Sequence, residues 1–244
     1  MNNMFKILVL LSTITLIIIG CTKKEENKLY VVTNSEFQPF EYREGNKIVG
    51  FDIDLINEIS KICDFNVEIV DMQFDGLLPS MEAKKIDLII AGMTKTDERE
   101  KFVNFSEPYY NSKQVIIVHK DNEDIKSFDN LSGKKVGVVL GYIGDLIVSD
   151  MTNVDVEKFN AVSETILALK SAKVDAIVLD YEAAKNYVSQ NKELKLIETD
   201  SANEEYAIAI RKDDTELLNK INDALKTIKE NGIYDSLLEK YFKN

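Results

Sequence analysis

Five short apolar runs, at 29–32, 67–70, 86–90, 136–140 and 174–179, constrain this chain more than any other feature. Each has the length of a strand and is dominated by Val, Ile and Leu without polar alternation, the pattern of strands buried on both faces of a parallel sheet. Parallel neighbours need crossover connections. The stretches between these runs carry helical spacing, so the fold class is α/β. The spacing is clearest late in the chain. Leu217, Leu218, Ile221, Ala224, Leu225 and Ile228 form one helical face, Asn231-Gly232 marks its C-terminal stop, and Ile233, Tyr234, Leu237, Leu238, Tyr241 and Phe242 continue into a last helix. A chain of 244 residues suits one large or two small domains.

An internal echo favours two similar units. Segments 78–92 and 166–180 share a helix, an Ala/Lys turn, a β-branched residue, Asp and an apolar strand, with Ile86-Asp87 matching Val174-Asp175 and Gly92 matching Asp180.

Acidic residues outnumber basic ones, 42 to 30, and the formal charge of −12 disfavours nucleic acid or another polyanion as a partner. The two cysteines, Cys21 and Cys63, and the one histidine, His119, supply neither a disulfide framework nor a zinc spacing nor a histidine-dependent triad. No metal and no cofactor is expected, and Cys63 is expected as a small core residue. Asp52 and Asp54 have the look of a metal-binding pair, but Asp before Ile53, Leu55 and Ile56 is the usual start of a helix. Gly137, Gly141 and Gly144 have the wrong spacing for a dinucleotide loop, and Gly141 and Gly144 read instead as opening a helix whose N–H groups face an anion.

The segment 85–110 has the chemistry of a carboxylate receptor. A strand breaks at Ala91-Gly92, where backbone can approach a ligand closely. Thr94 then offers a hydroxyl, and Arg99 a planar fork of donors. The alternative is a strand, a turn and a surface arginine.

This segment resembles the signature of the bacterial extracellular solute-binding proteins, family 3, which serve polar amino-acid ABC transporters. Other blocks of the same family occur in order. Phe37-Gln38-Pro39-Phe40-Glu41 is similar to its aromatic-x-Pro-Phe-Glu loop, and Gly50-Phe51-Asp52-Ile53-Asp54-Leu55 to its first helix start. Phe74-Asp75-Gly76-Leu77-Leu78-Pro79, Leu131-Ser132-Gly133-Lys134-Lys135-Val136-Gly137-Val138 and Asn231-Gly232-Ile233-Tyr234 resemble the short helix, the second-lobe opening and the approach to the last helix. The resemblance implies a periplasmic-binding-protein-like type II fold, two α/β lobes joined by a two-segment hinge. One lobe would comprise 28–109 plus 207–244, the other 112–204, with the hinge near 110–113 and 205–207.

It also implies a ligand site made of Asn34, Phe37, Phe74, Gly92, Thr94, Arg99, Ile143 and Asp180. Arg99 would pair with an α-carboxylate, helped by the Thr94 hydroxyl and the amides of Thr94 and Ile143. Asp180 would take the α-ammonium with the Gly92 carbonyl and the Thr94 hydroxyl, and Phe37 and Phe74 would flank the side chain. Each has a plainer alternative: the two phenylalanines as core, Asp180 as the cap of a helix at Tyr181. Asn34 stands where the family often has Asp, which disfavours a cationic ligand, and Tyr142-Ile143 replaces a usual hydroxyl after Gly141. Glu36 and Tyr142 have no assigned role.

At the N-terminus, residues 1–20 read as a signal peptide with an apolar core at 7–19. Gly20-Cys21 resembles a bacterial lipobox, which implies an acyl (palmitate) anchor on Cys21 and a polar tether over 21–28. The resulting expectation is a non-enzymatic, monomeric lipoprotein on the extracytoplasmic side of the membrane, capturing a free polar amino acid for permease subunits. The alternatives are a dehydratase-like enzyme on the same fold, for which no acid/base group beyond Asp180 is visible, and an amino-acid sensor or surface adhesin.

Overall fold

The structure, a computed structural model, describes residues 27–243. The expected signal peptide, Cys21 and most of the tether lie outside the described residues.

The apolar runs pair in parallel. Strand Lys28–Thr33 lies between Asn66–Asp71 and Leu88–Ile89, parallel to both. Ala209–Arg211 and Val103–Phe105 extend this five-stranded sheet in antiparallel fashion. Its central residues Val31, Val32, Leu88 and Ile89 are wholly buried. The 67–70 run departs from the expectation of full burial. Asn66–Asp71 is an edge strand, paired on one side alone and only half-buried along most of its length.

A second five-stranded sheet follows the order Asp155–Phe159, Lys135–Val139, Ala176–Asp180, Gln114–His119, Leu194–Ile197. Its first three strands are parallel and the other two pairings antiparallel. The chain passes between the two sheets twice. The crossing segments Tyr110–Ser112 and Glu204–Tyr206 pair antiparallel with each other, Glu204 opposite Ser112 and Tyr206 opposite Tyr110.

The segment 207–243 returns to the first sheet. Helices Thr215–Glu230 and Ile233–Phe242 both pack on helix Phe51–Cys63. The predicted face of Leu217, Ile221, Ala224, Leu225 and Ile228 is the one that is buried. Asp54 accepts from Lys240 and from Tyr241 at 2.7 Å each, which ties the last helix to the first. Cys63 is half-buried at the end of its helix, with its Sγ against the carbonyl of Lys220. It therefore seals the edge of the core rather than filling it.

The sequence echo is structural as well. Asp87 accepts from the N–H of Tyr30 at 2.8 Å, and Asp175 accepts from the N–H of Lys135 at 2.8 Å. Each Asp opens a central strand and straps the start of its neighbour. The strand that each begins leads to the same cavity, through Gly92 in one sheet and Asp180 in the other.

Candidate ligand-binding site

Arg99 reaches the cleft because its helix is very short and firmly capped. Helix Asp97–Glu100 starts at Thr96, whose hydroxyl accepts from the Arg99 N–H at 3.2 Å. The guanidinium is then turned inward, and only 6% of the residue is exposed. It donates to the carbonyl of Thr94 at 2.7 Å and to the carbonyl of Gly141 at 2.9 Å, and its Cζ lies 5.3 Å from the Phe74 ring centroid. Burial lowers its pKa to about 10, against the opposing fields of Asp180, Glu204 and Tyr206. It therefore stays cationic at neutral pH.

Asp180 ends strand Ala176–Asp180 and occupies the position before helix Tyr181–Gln190, yet its side chain makes no capping bond there. It accepts instead from the Tyr206 hydroxyl at 2.6 Å, so the capping alternative is set aside by geometry. Burial raises its pKa, opposed by bonds from Tyr206 and Gln114 and by the Arg99 charge. Among the described residues neither Arg99 nor Asp180 forms a salt bridge. A buried guanidinium and a buried carboxyl group thus stand in one cleft without a direct salt bridge between them.

Gly92 is held between these groups. Its φ of +52° favours glycine, and a Cβ there would stand 2.6 Å from the Phe37 ring. Its N–H donates to Asp52 at 2.9 Å, and Asp52 also accepts from Tyr109 at 2.7 Å. Burial pushes Asp52 up to about 6, and it pushes the neighbouring Glu41 carboxyl well above its usual range, with the Asp52 charge adding to the effect. Asp52 and Asp54 therefore face different partners and serve structure on two sides of one helix.

Gly141-Tyr142-Ile143 forms the opposite wall. Asp145, in the first turn of helix Ile143–Asp150, accepts from the Gly141 N–H at 3.0 Å, from Ser149 at 2.9 Å and from Lys158 at 2.8 Å. At Gly144 a Cβ would stand 2.7 Å from the Val178 carbonyl, so glycine lets this helix sit directly on the strand that ends at Asp180. The amide of Ile143, the first helical residue, has no intrahelical acceptor and belongs to the cavity wall.

The cavity is nearly closed, with a volume of about 10 Å³, roughly the room of one water molecule. Phe37, Phe74, Gly92, Thr94, Arg99, Ile143 and Asp180 all line it, together with Ala91 and Tyr142. Phe37 and Phe74 are buried in the core and also line this cavity. Two expectations change. Asn34 stands outside the lining, behind Tyr142, where its Oδ1 accepts from the Tyr142 hydroxyl at 2.7 Å and its Nδ2 donates to the Met72 carbonyl at 3.0 Å. The Thr94 hydroxyl donates to Glu204 at 3.1 Å, so it is already engaged by a residue of the crossing segment.

Sequence reading missed Glu204 and Gln114. Gln114 also donates to the Glu204 carboxyl, at 3.2 Å. Burial first, and then the charge of Asp180, raise Glu204 to about 8. A negative charge beside Asp180 is thereby largely suppressed near neutral pH. The position of Glu204 beside a crossing segment was the one available sequence signal. Glu36 also finds a place: its carboxylate accepts from the Ser163 hydroxyl at 3.2 Å, and its carbonyl from the Tyr187 hydroxyl at 3.2 Å, which closes the rim of the cleft.

No helix among the described residues is long and apolar enough to cross a membrane. The profile of the bacterial extracellular solute-binding proteins, family 3, matches residues 29–244. The chain is 37% identical over 243 residues to a probable histidine-binding protein of Campylobacter jejuni, covering 93% of each. It is 37% identical to the arginine-binding extracellular protein ArtP of Bacillus subtilis, covering 89% of this chain and 87% of the relative. A solved ancestral arginine-binding protein bound to arginine superposes with a TM-score of 0.86 at 45% identity, covering 88% of this chain and 98% of that one. These relatives are binding proteins, and the fold they share is the type II periplasmic-binding fold. The chain belongs to the bacterial extracellular solute-binding proteins of family 3, whose members bind amino acids for ABC transporters.

Proposed function

We propose that this protein captures a free polar amino acid as a zwitterion between two closing lobes and hands it to the permease of an ABC transporter. The observation that carries this reading is the pair of buried, unbridged charges on facing walls, Arg99 and Asp180. Arg99 takes the α-carboxylate, with the Ile143 amide on the other side, and Asp180 takes the α-ammonium. The names of the relatives support the same ligand class. They include histidine-, arginine- and cystine-binding proteins. The lobes are 28–109 plus 207–244 and 112–204, hinged near 110–113 and 205–207.

The carboxylate site spans the cleft, since Arg99 comes from one lobe and Gly141 and Ile143 from the other. A ligand touching both walls favours the closed state, because only there are both of its charges matched. The relatives named above are binding proteins, which favours binding over catalysis. Upstream, Cys21 carries the lipid and 22–28 is the tether, so the protein works as an anchored monomer outside the cytoplasm.

Small-angle scattering with and without the amino acid that co-purifies, identified by mass spectrometry, tests the clamp. A smaller radius of gyration on binding supports it. Binding without any change in dimensions would remove the two-lobe mechanism, and a bound species with the mass of a dehydrated product would favour the enzyme.

A further inference from the structure

We propose that Tyr142 is the end wall of the site and restricts it to L-amino acids with short, uncharged side chains, of the size of alanine, serine or cysteine. This rests on the amino-acid receptor reading and narrows it. Three contacts fix the ring. Its centroid lies 5.5 Å from that of Phe37 and 4.6 Å from that of Phe74, both edge-on, and its hydroxyl donates to Asn34 at 2.7 Å. The backbone beneath is fixed as well, with the Tyr142 N–H donating to the Val139 carbonyl at 3.1 Å and the Gly141 N–H held by Asp145. Only 5% of the residue is exposed.

The ring therefore stands where a ligand side chain passing between Phe37 and Phe74 would have to continue. Two polar groups beyond it, Asn34 and Asp71, are already engaged. Asn34 is used by Tyr142 and Met72, and Asp71 accepts from the Ser35 amide at 2.9 Å, the Ser35 hydroxyl at 2.8 Å and Arg43 at 2.6 Å. Those bonds, together with the Arg43 charge, outweigh burial and hold the Asp71 pKa below its usual value. A long side chain would meet this aromatic wall. Inside the wall, Arg99 and Asp180 match the main-chain groups common to all amino acids, so neither is free to recognise a third charge.

Calorimetric titration of purified full-length protein with alanine, serine, cysteine, glutamine, histidine and arginine tests this. Each methylene beyond a tight apolar wall costs roughly 10-fold or more in discrimination. At least one short amino acid should therefore bind wild type about 100-fold more tightly than any of the three long ones. Tyr142→Phe keeps the ring and loses the bond to Asn34, so it should preserve that order. Tyr142→Gly opens the slot and should reduce the ratio to about 10-fold or less. If wild type binds glutamine, histidine or arginine as tightly as the short ligands, the wall is refuted while the amino-acid receptor survives. The wall is refuted in the same way if Tyr142→Gly folds and leaves the order unchanged. Should Tyr142→Gly fail to fold, the ranking by wild type and Tyr142→Phe decides. If wild type binds no amino acid at all, both readings fall.

Discussion

Alanine at position 92 attacks the site without removing any polar group, which makes its cost separable into two parts. The first is backbone. Gly92 has a φ of +52°, and a left-handed conformation costs a residue with a Cβ about 1–2 kcal/mol. The second is crowding. The new Cβ would lie 2.6 Å and 2.8 Å from two atoms of the Phe37 ring. That ring is 2% exposed and stacks on Phe40 with centroids 5.6 Å apart, so it has little room to retreat. Forcing a methyl group into a filled core costs about 1–3 kcal/mol. The sum is about 2–5 kcal/mol in urea unfolding, read as a shift in midpoint at constant slope. Gly45→Ala is the internal control: its φ is +59° and nothing lies within 4 Å of the added Cβ, so only the backbone part remains. Ligand affinity should fall for Gly92→Ala, because Phe37 lines the cavity, and stay unchanged for Gly45→Ala. Equal losses of stability in the two variants, to within about 0.5 kcal/mol, would refute the role of crowding.

Glu204→Gln tests the suppressed carboxylate. One oxygen of Glu204 accepts from both Thr94 and Gln114, so a glutamine oxygen can replace it while the new amide donates toward Asp180. Because the folded pKa is raised to about 8, the folded state holds a proton that the unfolded chain has lost. Wild-type stability from this group is full below the unfolded pKa and declines as pH rises toward about 8. The advantage in Tm of Glu204→Gln should therefore grow between pH 5 and 8, and a pH-independent difference would contradict it. Asp180→Asn should weaken amino-acid binding about 10-fold or more, since it leaves the ammonium without a charged acceptor. Calorimetry checks this, and unchanged affinity would remove Asp180 from the site. Cys21→Ser should release the protein from membranes or leave an uncleaved precursor, with binding intact. Wild type retained at the membrane with an unmodified Cys21 would overturn the anchor.

The parts of the fold written in local pattern were legible. Four of the five apolar runs became inner strands, the late helical spacing became two packed helices, and the Asp87 and Asp175 echo became the same strap in both sheets. Seven of the eight expected ligand residues line one cavity because they sit at strand ends and turns, where sequence motifs are local. What was illegible depends on contacts across the cleft. The bond from Tyr142 to Asn34 joins residues 108 positions apart, and that from Thr94 to Glu204 joins residues 110 apart. No periodicity reports such pairs. The burial of Asp52 was hidden for a related reason: an Asp at a helix start normally faces water, and here Gly92 and Tyr109 meet it from distant segments. The half-buried state of Asn66–Asp71 depended on its place at the sheet edge, which its own residues do not encode.

The central claim is that Arg99 anchors an amino acid by its carboxylate, and a paired titration of wild type and Arg99→Ala tests it most directly. Removing one partner of a buried charge pair costs about 2–5 kcal/mol in binding, which at about 1.4 kcal/mol per decade is roughly 30-fold to several thousandfold. The account predicts saturable binding of an L-amino acid by wild type and a loss of that size in Arg99→Ala. Binding of the same amino acid by Arg99→Ala within about threefold of wild type, under 1 kcal/mol, would contradict it.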